Sequence, residues 1–154
     1  MSNELSRRQL LAAGGTALIG SPLLTPAPAR GEAARAKPLL RFGLMTDAQY
    51  ADIDPAGTRY YRASLGKLQE AIDHFNGLEL DFCVHLGDLI DRHWSSFENA
   101  LRPFAASRHP VYQLLGNHDF AVPDEEKSKV PDRMGMKSRY YSFTRGGFRL
   151  VVLD

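Results

Sequence analysis

Asp81-Phe-Cys-Val-His-Leu-Gly-Asp-Leu-Ile-Asp-Arg92 is the stretch that decides the architecture. Asp81 to Leu86 is a short, largely apolar run, the pattern of a strand buried on both faces. Gly87-Asp88 ends it abruptly, and Leu89-Ile90 separates that pair from Asp91-Arg92. A buried strand that empties into glycine and carboxylates predicts a sheet whose carboxyl edge carries the chemistry.

The same grammar recurs on either side. Upstream, Leu39 to Thr46 (LLRFGLMT) runs into Asp47-Ala48-Gln49; downstream, Pro110 to Leu115 (PVYQLL) runs into Gly116-Asn117-His118-Asp119. Between the first two runs, Tyr61, Leu65, Leu68, Ile72 and Phe75 recur at helical spacing and form one apolar face, stopped by Asn76-Gly77. Between the second and third, Ser95 with Glu98 predicts a capping box opening a helix that Pro103 must kink or shorten. Tyr140 to Thr144 and Phe148 to Leu153, joined by Gly146-Gly147, predict a hairpin, and Asp124 to Lys129 reads as a solvated loop. The fold class is therefore α/β: a βαβαβ core with a parallel sheet, plus a β-hairpin.

Composition bounds the function. The 154 residues are 44% hydrophobic and 24% charged, an ordinary globular balance. Nineteen basic against 18 acidic residues exclude a polybasic nucleic-acid binder and give no reason for a membrane-surface role. A single cysteine, Cys83, excludes an internal disulfide framework and a cysteine zinc ribbon; inside a strand it reads as a small buried hydrophobe.

Asp47, Gln49, Asp88 and Asn117 follow three strands that converge on one sheet edge. Hard oxygen donors of this kind suit divalent Mn, Mg, Fe or Zn. Any one of these motifs alone is ordinary loop polarity. Three in this order, each directly after an apolar strand, predict a metal centre.

Asp47-x-Gln49, Gly87-Asp88-x-x-Asp91-Arg92 and Gly116-Asn117-His118-Asp119 resemble the calcineurin-like metallophosphoesterases. Phe42 to Asp52, Arg59 to Leu65 and Gly116 to Phe120 resemble more closely the manganese-dependent ADP-ribose/CDP-alcohol diphosphatases, with Gln49 where most of the superfamily has histidine. The resemblance runs from about Leu40 to Asp154 and covers the first half of the family domain. It implies the N-terminal half of an αββα sandwich and two divalent metal ions, manganese foremost, with Fe, Zn or Mg as alternatives.

By the same resemblance, Asp47 and Gln49 hold the first ion, Asp88 bridges both, and Asn117 ligates the second. His118 stands beside the phosphoryl group as transition-state stabiliser or acid, oriented by Asp91, with Arg92 touching phosphate oxygens. The bridging role needs a carboxylate, which alone offers two charged oxygens, and Asp88 fits it. The implied reaction is hydrolysis of a phosphoester or diphosphate bond in a small molecule, a nucleotide-type diphosphate favoured, by metal-activated water. A purple-acid-phosphatase branch is disfavoured by Asp91, where that branch has tyrosine. A phosphomonoesterase or phosphodiesterase of the superfamily stays open, as does a truncated, inactive remnant that binds metal or phosphate. The family completes its site with three histidines from its second half, so the expectation is an N-terminal fragment of a longer enzyme, with an uncovered inner sheet face, weak metal binding and little or no hydrolysis on its own.

Other residues carry plainer expectations. His74 and His109 read as structural or solvated, His85 and His93 flank the Gly-Asp motif with metal contact only as a minor alternative, and Asp119 reads as bonding within its own loop. Tyr60 and Tyr61 are candidates to stack a nucleobase, but periodicity places Tyr61 in the core.

The first 36 residues read as an address. Ser6-Arg7-Arg8-Gln9-Leu10-Leu11 is a twin-arginine pattern heading an apolar run, Leu10 to Leu24, diluted by Gly14, Gly15, Gly20 and Pro22. Membrane-spanning helices need about 20 apolar residues, so the run matches the core of an export signal instead. Ala27-Pro28-Ala29 and Ala34-Arg35-Ala36 are cleavage candidates, and no cysteine follows to carry a lipid. Residues 1–36 are thus expected to be a signal peptide handled by the Tat translocon, and 37–154 a partial phosphoesterase domain. The product is exported to the periplasm or secreted, without a stable membrane anchor or a nucleic-acid partner.

Overall fold

A computed structural model describes residues 37–153; the predicted signal, residues 1–36, lies outside the described residues. Three parallel strands, β1 (Phe42–Met45), β2 (Phe82–His85) and β3 (Val111–Gln113), pair in the order β1-β2-β3. Phe42 lies opposite Phe82 and Met45 opposite His85, while His85 faces Gln113 across the next ladder. All three predicted strands are present in register, so the residues that follow them share one edge.

Helix α1 (Ser64–Asn76), preceded by a 3-10 turn at Tyr61–Ala63, crosses from β1 to β2 with Leu68 and Ile72 buried. The Asn76 side chain fastens its end: Nδ2 donates to the Ala106 carbonyl and Oδ1 accepts the Arg108 N–H. The second crossover is α2 (Ser96–Ala100) followed by a 3-10 segment at Arg102–Ala106 that contains Pro103, the shortening the sequence predicts.

Two expectations change. Ser95 makes no capping bond, because its backbone is already helical (φ −61°, ψ −23°) and the Phe97 N–H it would have served is satisfied by the Trp94 carbonyl. Glu98 pairs with Arg102 instead. The charged stretch from Asp124 is no loop: Pro123 leads into α3 (Asp124–Lys127), whose three acids sit in the first turn, where the helix dipole favours them. Helix α4 (Val130–Arg133) follows, and Val130, Met134 and Met136 are buried in the core beside Leu89, Ile90 and Phe97.

Strand alternation gives the parallel sheet two faces. Met45, Cys83 and Val111 join α1 and α2 in the core, and burial pushes the Cys83 thiol pKa up. On the opposite face the hairpin β4 (Tyr141–Arg145) and β5 (Phe148–Val152) is a separate antiparallel pair. Its Gly146-Gly147 turn has φ of 56° and 82°, the backbone a tight hairpin requires. Phe143 stacks on Tyr112 at 3.5 Å between centroids and meets Phe82 edge-on at 5.3 Å. The face expected to be uncovered is therefore covered over β2, while Phe42 and Leu44 of β1 remain 43% and 53% exposed. Among the described residues no helix is long and apolar enough to cross a membrane.

Candidate metal centre

Beyond Met45 and His85 the first two strands part and then meet again. Leu86 N–H donates to the Met45 carbonyl (2.9 Å), Asp47 N–H to Gly87 (3.2 Å) and Gln49 N–H to Asp88 (2.9 Å). Tyr50 N–H then donates to Leu89 (3.0 Å), and Asp91 N–H returns to Tyr50 (2.9 Å). Inside this double break Asp47, Gln49 and Asp88 adopt left-handed backbone, with φ of 56°, 44° and 54°. Such a conformation costs a non-glycine residue about 1–3 kcal/mol and persists where the surroundings over-determine it. Three of the four predicted metal ligands occupy it.

Their side chains converge. Gln49 Nε2 lies 3.3 Å from Asp47 Oδ1 and 3.5 Å from Asp88 Oδ2, and Thr46 Oγ1 donates to Asp47 Oδ2 at 2.6 Å. Asp88 Oδ1 accepts the His118 N–H at 2.8 Å, which draws in the loop after β3. Gly87 (φ 98°) and Gly116 are where the two loops touch. A Cβ at Gly116 would meet the Asp88 carboxylate and come within 2.6 Å of its nitrogen, and one at Gly87 would meet the Leu115–Gly116 backbone. Asn117 is exposed at this crossing, with no hydrogen bond engaging its side chain among the described residues.

Asp119 does more than bond within its own loop. Fully buried, it accepts Gly116 N–H (2.9 Å) and Asp88 N–H (3.0 Å) at Oδ2, and Leu89 N–H (2.9 Å) and Ile90 N–H (3.3 Å) at Oδ1. Burial raises its carboxyl pKa above the ordinary value, against the pull of those four donors. Sequence reading missed this cross-loop role; the one available signal was a carboxylate backed by the apolar Phe120-Ala-Val122 run.

Asp91 and His118 come together as the resemblance implies. His118 Nδ1 lies 3.2 Å from the Asp91 carbonyl and 3.4 Å from its carboxylate, which is itself 1% exposed. Arg92 Nε donates to that carboxylate at 2.6 Å, so this nitrogen serves Asp91, and the guanidinium lies 5.8 Å from the centre of the Tyr61 ring. Arg59 also donates to it at 3.0 Å, a partner the sequence reading did not identify. Two guanidinium groups thus hold the Asp91 carboxylate in place beside the ring.

The remaining histidines stay outside the centre. Fully buried His85 lies beside Phe104, and desolvation lowers its pKa to about 4, offset in part by the charges of Asp47 and Asp88. Its ring nitrogens and the facing Gln113 Oε1 have no hydrogen-bond partner among the described residues. His109 Nε2 lies 3.0 Å from the Phe75 carbonyl, and His74 and His93 are exposed. Tyr61 is buried as predicted, and Tyr60 is 66% exposed.

Among the described residues no three His, Cys, Asp or Glu gather into a metal site. The donors are two carboxylates, Asp47 and Asp88, with the amides of Gln49 and Asn117. Two close negative charges separated only by an amide suit a hard divalent cation. The Gln49 amide presents its NH₂ to both carboxylates, and a half-turn of that group would offer its oxygen instead. Asp47, Gln49 and Asp88 could together hold one ion, and Asp88 with Asn117 supplies part of the donor set for a second.

The calcineurin-like phosphoesterase family matches residues 40–153. Over 141 residues the sequence is 36% identical to a manganese-dependent ADP-ribose/CDP-alcohol diphosphatase of Arabidopsis thaliana, covering 80% of this chain and 44% of that protein. A protein of the same name from Oryza sativa subsp. japonica is 31% identical over 136 residues, with 77% and 41% covered. The crystal structure of a dimetal phosphatase from Danio rerio is similar at a TM-score of 0.61 and 27% identity, over 77% of this chain and 45% of that one. The sequence spans less than half the length of each of these relatives.

Proposed function

The chain belongs to the calcineurin-like phosphoesterase family, and from that premise we propose that it carries part of a dinuclear phosphohydrolase centre acting on a nucleotide-type diphosphate. The observation that carries this reading is the gathering of Asp47, Gln49 and Asp88 on left-handed backbone, inside loops locked together by Asp119. Two divalent ions, manganese foremost, are the cofactor that the relatives' names support. Asp47 and Gln49 would hold the first, Asp88 both, and Asn117 the second. Bound there, the ions supply a nucleophilic water at neutral pH and neutralise phosphoryl oxygens.

The protein's own groups do the rest. His118 keeps Nδ1 against Asp91, which fixes the ring and reserves Nε2 to hold a proton for the leaving oxygen. Arg59 and Arg92 both occupy the buried Asp91 carboxylate, so the carboxylates left for metal are Asp47 and Asp88. The names of the relatives favour a diphosphate over a monoester, and the linkage cleaved is inferred from them alone. The direct assay offers the chain Mn²⁺ with ADP-ribose, a CDP-alcohol and a chromogenic phosphodiester. Manganese-dependent turnover that is slight, strongest on the diphosphates and abolished by Asp88→Asn is the expected result; turnover indifferent to Asp88→Asn would refute the assignment.

A second reading has its own support. With no histidine or third carboxylate in the donor set, the chain would bind metal or phosphate without turning over, and the same assay separates the two. We further propose export by the twin-arginine route, on the strength of Arg7-Arg8 before a short apolar run. Replacing both arginines with lysine should trap the precursor in the cytoplasm, and normal export of that variant would dismiss the proposal.

A further inference from the structure

We infer that the cleft beside Asp47 and Gln49 seats the second phosphoryl group and attached ring of a nucleoside diphosphate, with Lys67 and Arg59 gripping the phosphate and Tyr60 stacking on the ring. The inference rests on the hydrolase reading of the neighbouring centre. The cleft has a volume of about 210 Å³, and Arg59, Tyr60 and Lys67 line it together with Asp47 and Gln49. A second cavity of about 200 Å³ shares Asp47, Ala48, Ser64 and Lys67 with it, so Lys67 stands on the wall between two hollows that both reach the candidate ligand.

Lys67 differs from the cations around it. Arg62 is paired with Asp52 and Asp54, and Arg92 with Asp91. Lys67, on the exposed side of α1, has no ion pair or hydrogen bond among the described residues. Arg59 commits NH1 to Asp91, yet its side chain is 50% exposed and a guanidinium has five N–H donors. Tyr60 is the exposed aromatic at the same cleft.

A diphosphate held with one phosphoryl group at Asp47, Asp88 and Asn117 must place its other phosphoryl group, and that negative charge, beside the centre. On the Asn117 side the cavity is lined by Leu115, Gly116, Phe120 and Arg139, and Arg139 lies over the Phe120 ring at 4.9 Å. On the Asp47 side stands an uncommitted ammonium, a half-free guanidinium and an exposed ring. Cation and aromatic face in one cleft are what a phosphate attached to a base or ribosyl unit requires. A substrate with a single phosphate would leave them unused.

The test measures binding by the full chain in EDTA, so that no metal contributes, with ADP-ribose and inorganic phosphate as probes. Lys67→Ala should weaken ADP-ribose binding by roughly tenfold, the loss of about one charge-assisted contact. Tyr60→Ala should weaken it by a smaller factor and leave inorganic phosphate unchanged, Lys67→Arg should restore most of it, and Lys67→Ala should weaken inorganic phosphate as well. Lys67 and Tyr60 are exposed, so unchanged melting temperatures should accompany these effects. Equal ADP-ribose affinity in wild type and Lys67→Ala, or a Tyr60→Ala loss as large for inorganic phosphate as for ADP-ribose, would overturn the assignment. The two readings fail separately. ADP-ribose binding that needs Lys67 without manganese-dependent hydrolysis supports the cleft and removes the hydrolase, whereas hydrolysis with a KM untouched by Lys67→Ala removes the cleft alone.

Discussion

Asp91 and Asp119 are both buried beside the candidate centre, yet they are held by opposite means. Asp119 is bound by four main-chain N–H groups from two loops. Asp91 is bound by the side chains of Arg59 and Arg92 and by the His118 ring. A carboxylate that gathers backbone amides fixes where the chain runs, and so fixes the left-handed Asp88 beside it. One that gathers half-exposed guanidinium groups adjusts a side chain on a frame already built. The two acids therefore divide architecture from chemistry, and their variants should separate along that line.

The largest effect belongs to Asp119→Ala. Removing the acceptor strands buried N–H groups at both loops, and stability should fall by about 3 kcal/mol or more. Chemical denaturation checks this, and loss of metal affinity should accompany it because Asp88 loses its anchor. Asp91→Asn should cost only about 1 kcal/mol, since solvent screens both arginines, yet lower turnover roughly tenfold or more by freeing the His118 ring. If Asp91→Asn proved as destabilising as Asp119→Ala while turnover held, the division would be wrong.

The same contrast explains what was legible in the sequence. Strands β1, β2 and β3 announce themselves as apolar runs, and Asp47, Gln49, Asp88 and Asn117 follow them at once, so pattern alone places them on one edge. The Asp91–His118 approach came from the family resemblance. Asp119 bonds residues about thirty positions away, and Arg59 reaches Asp91 across a similar gap. No periodicity records contacts that loop closure creates. Ser95 failed as a cap for a local reason, because the preceding turn had already satisfied the donors it would have served. The acidic Asp124 segment concealed α3 and α4 because its short turns are stabilised by Pro123, by the dipole and by Val130 docking rather than by an amphipathic face.

A smaller effect sharpens the comparison from outside it. His85 is a third buried titratable group, but it lacks hydrogen-bond partners and is kept neutral by desolvation, with its pKa lowered to about 4. Its folded pKa lies below the unfolded value of about 6.5, so the unfolded chain binds the proton more readily between those limits. Its contribution is intact above about pH 6.5 and is lost as pH falls toward 4, by up to about 3 kcal/mol. His85→Leu should flatten that part of the stability–pH curve and cost little at pH 7, since no hydrogen bond is lost. An unchanged acid limb would mean that other groups govern it.

The most direct measurement is Mn²⁺ binding by the wild-type chain and by Asp88→Asn, Asn117→Ala and His118→Ala, followed by electron paramagnetic resonance. Four oxygen donors shared between two ions predict weak binding in the wild type, about one ion held more firmly than the other. Asp88→Asn should abolish it, Asn117→Ala should remove the weaker ion, and His118→Ala should leave both in place. A His118→Ala protein that loses its manganese, or an Asp88→Asn protein that keeps it, would contradict the placement of the metal at Asp47, Gln49, Asp88 and Asn117.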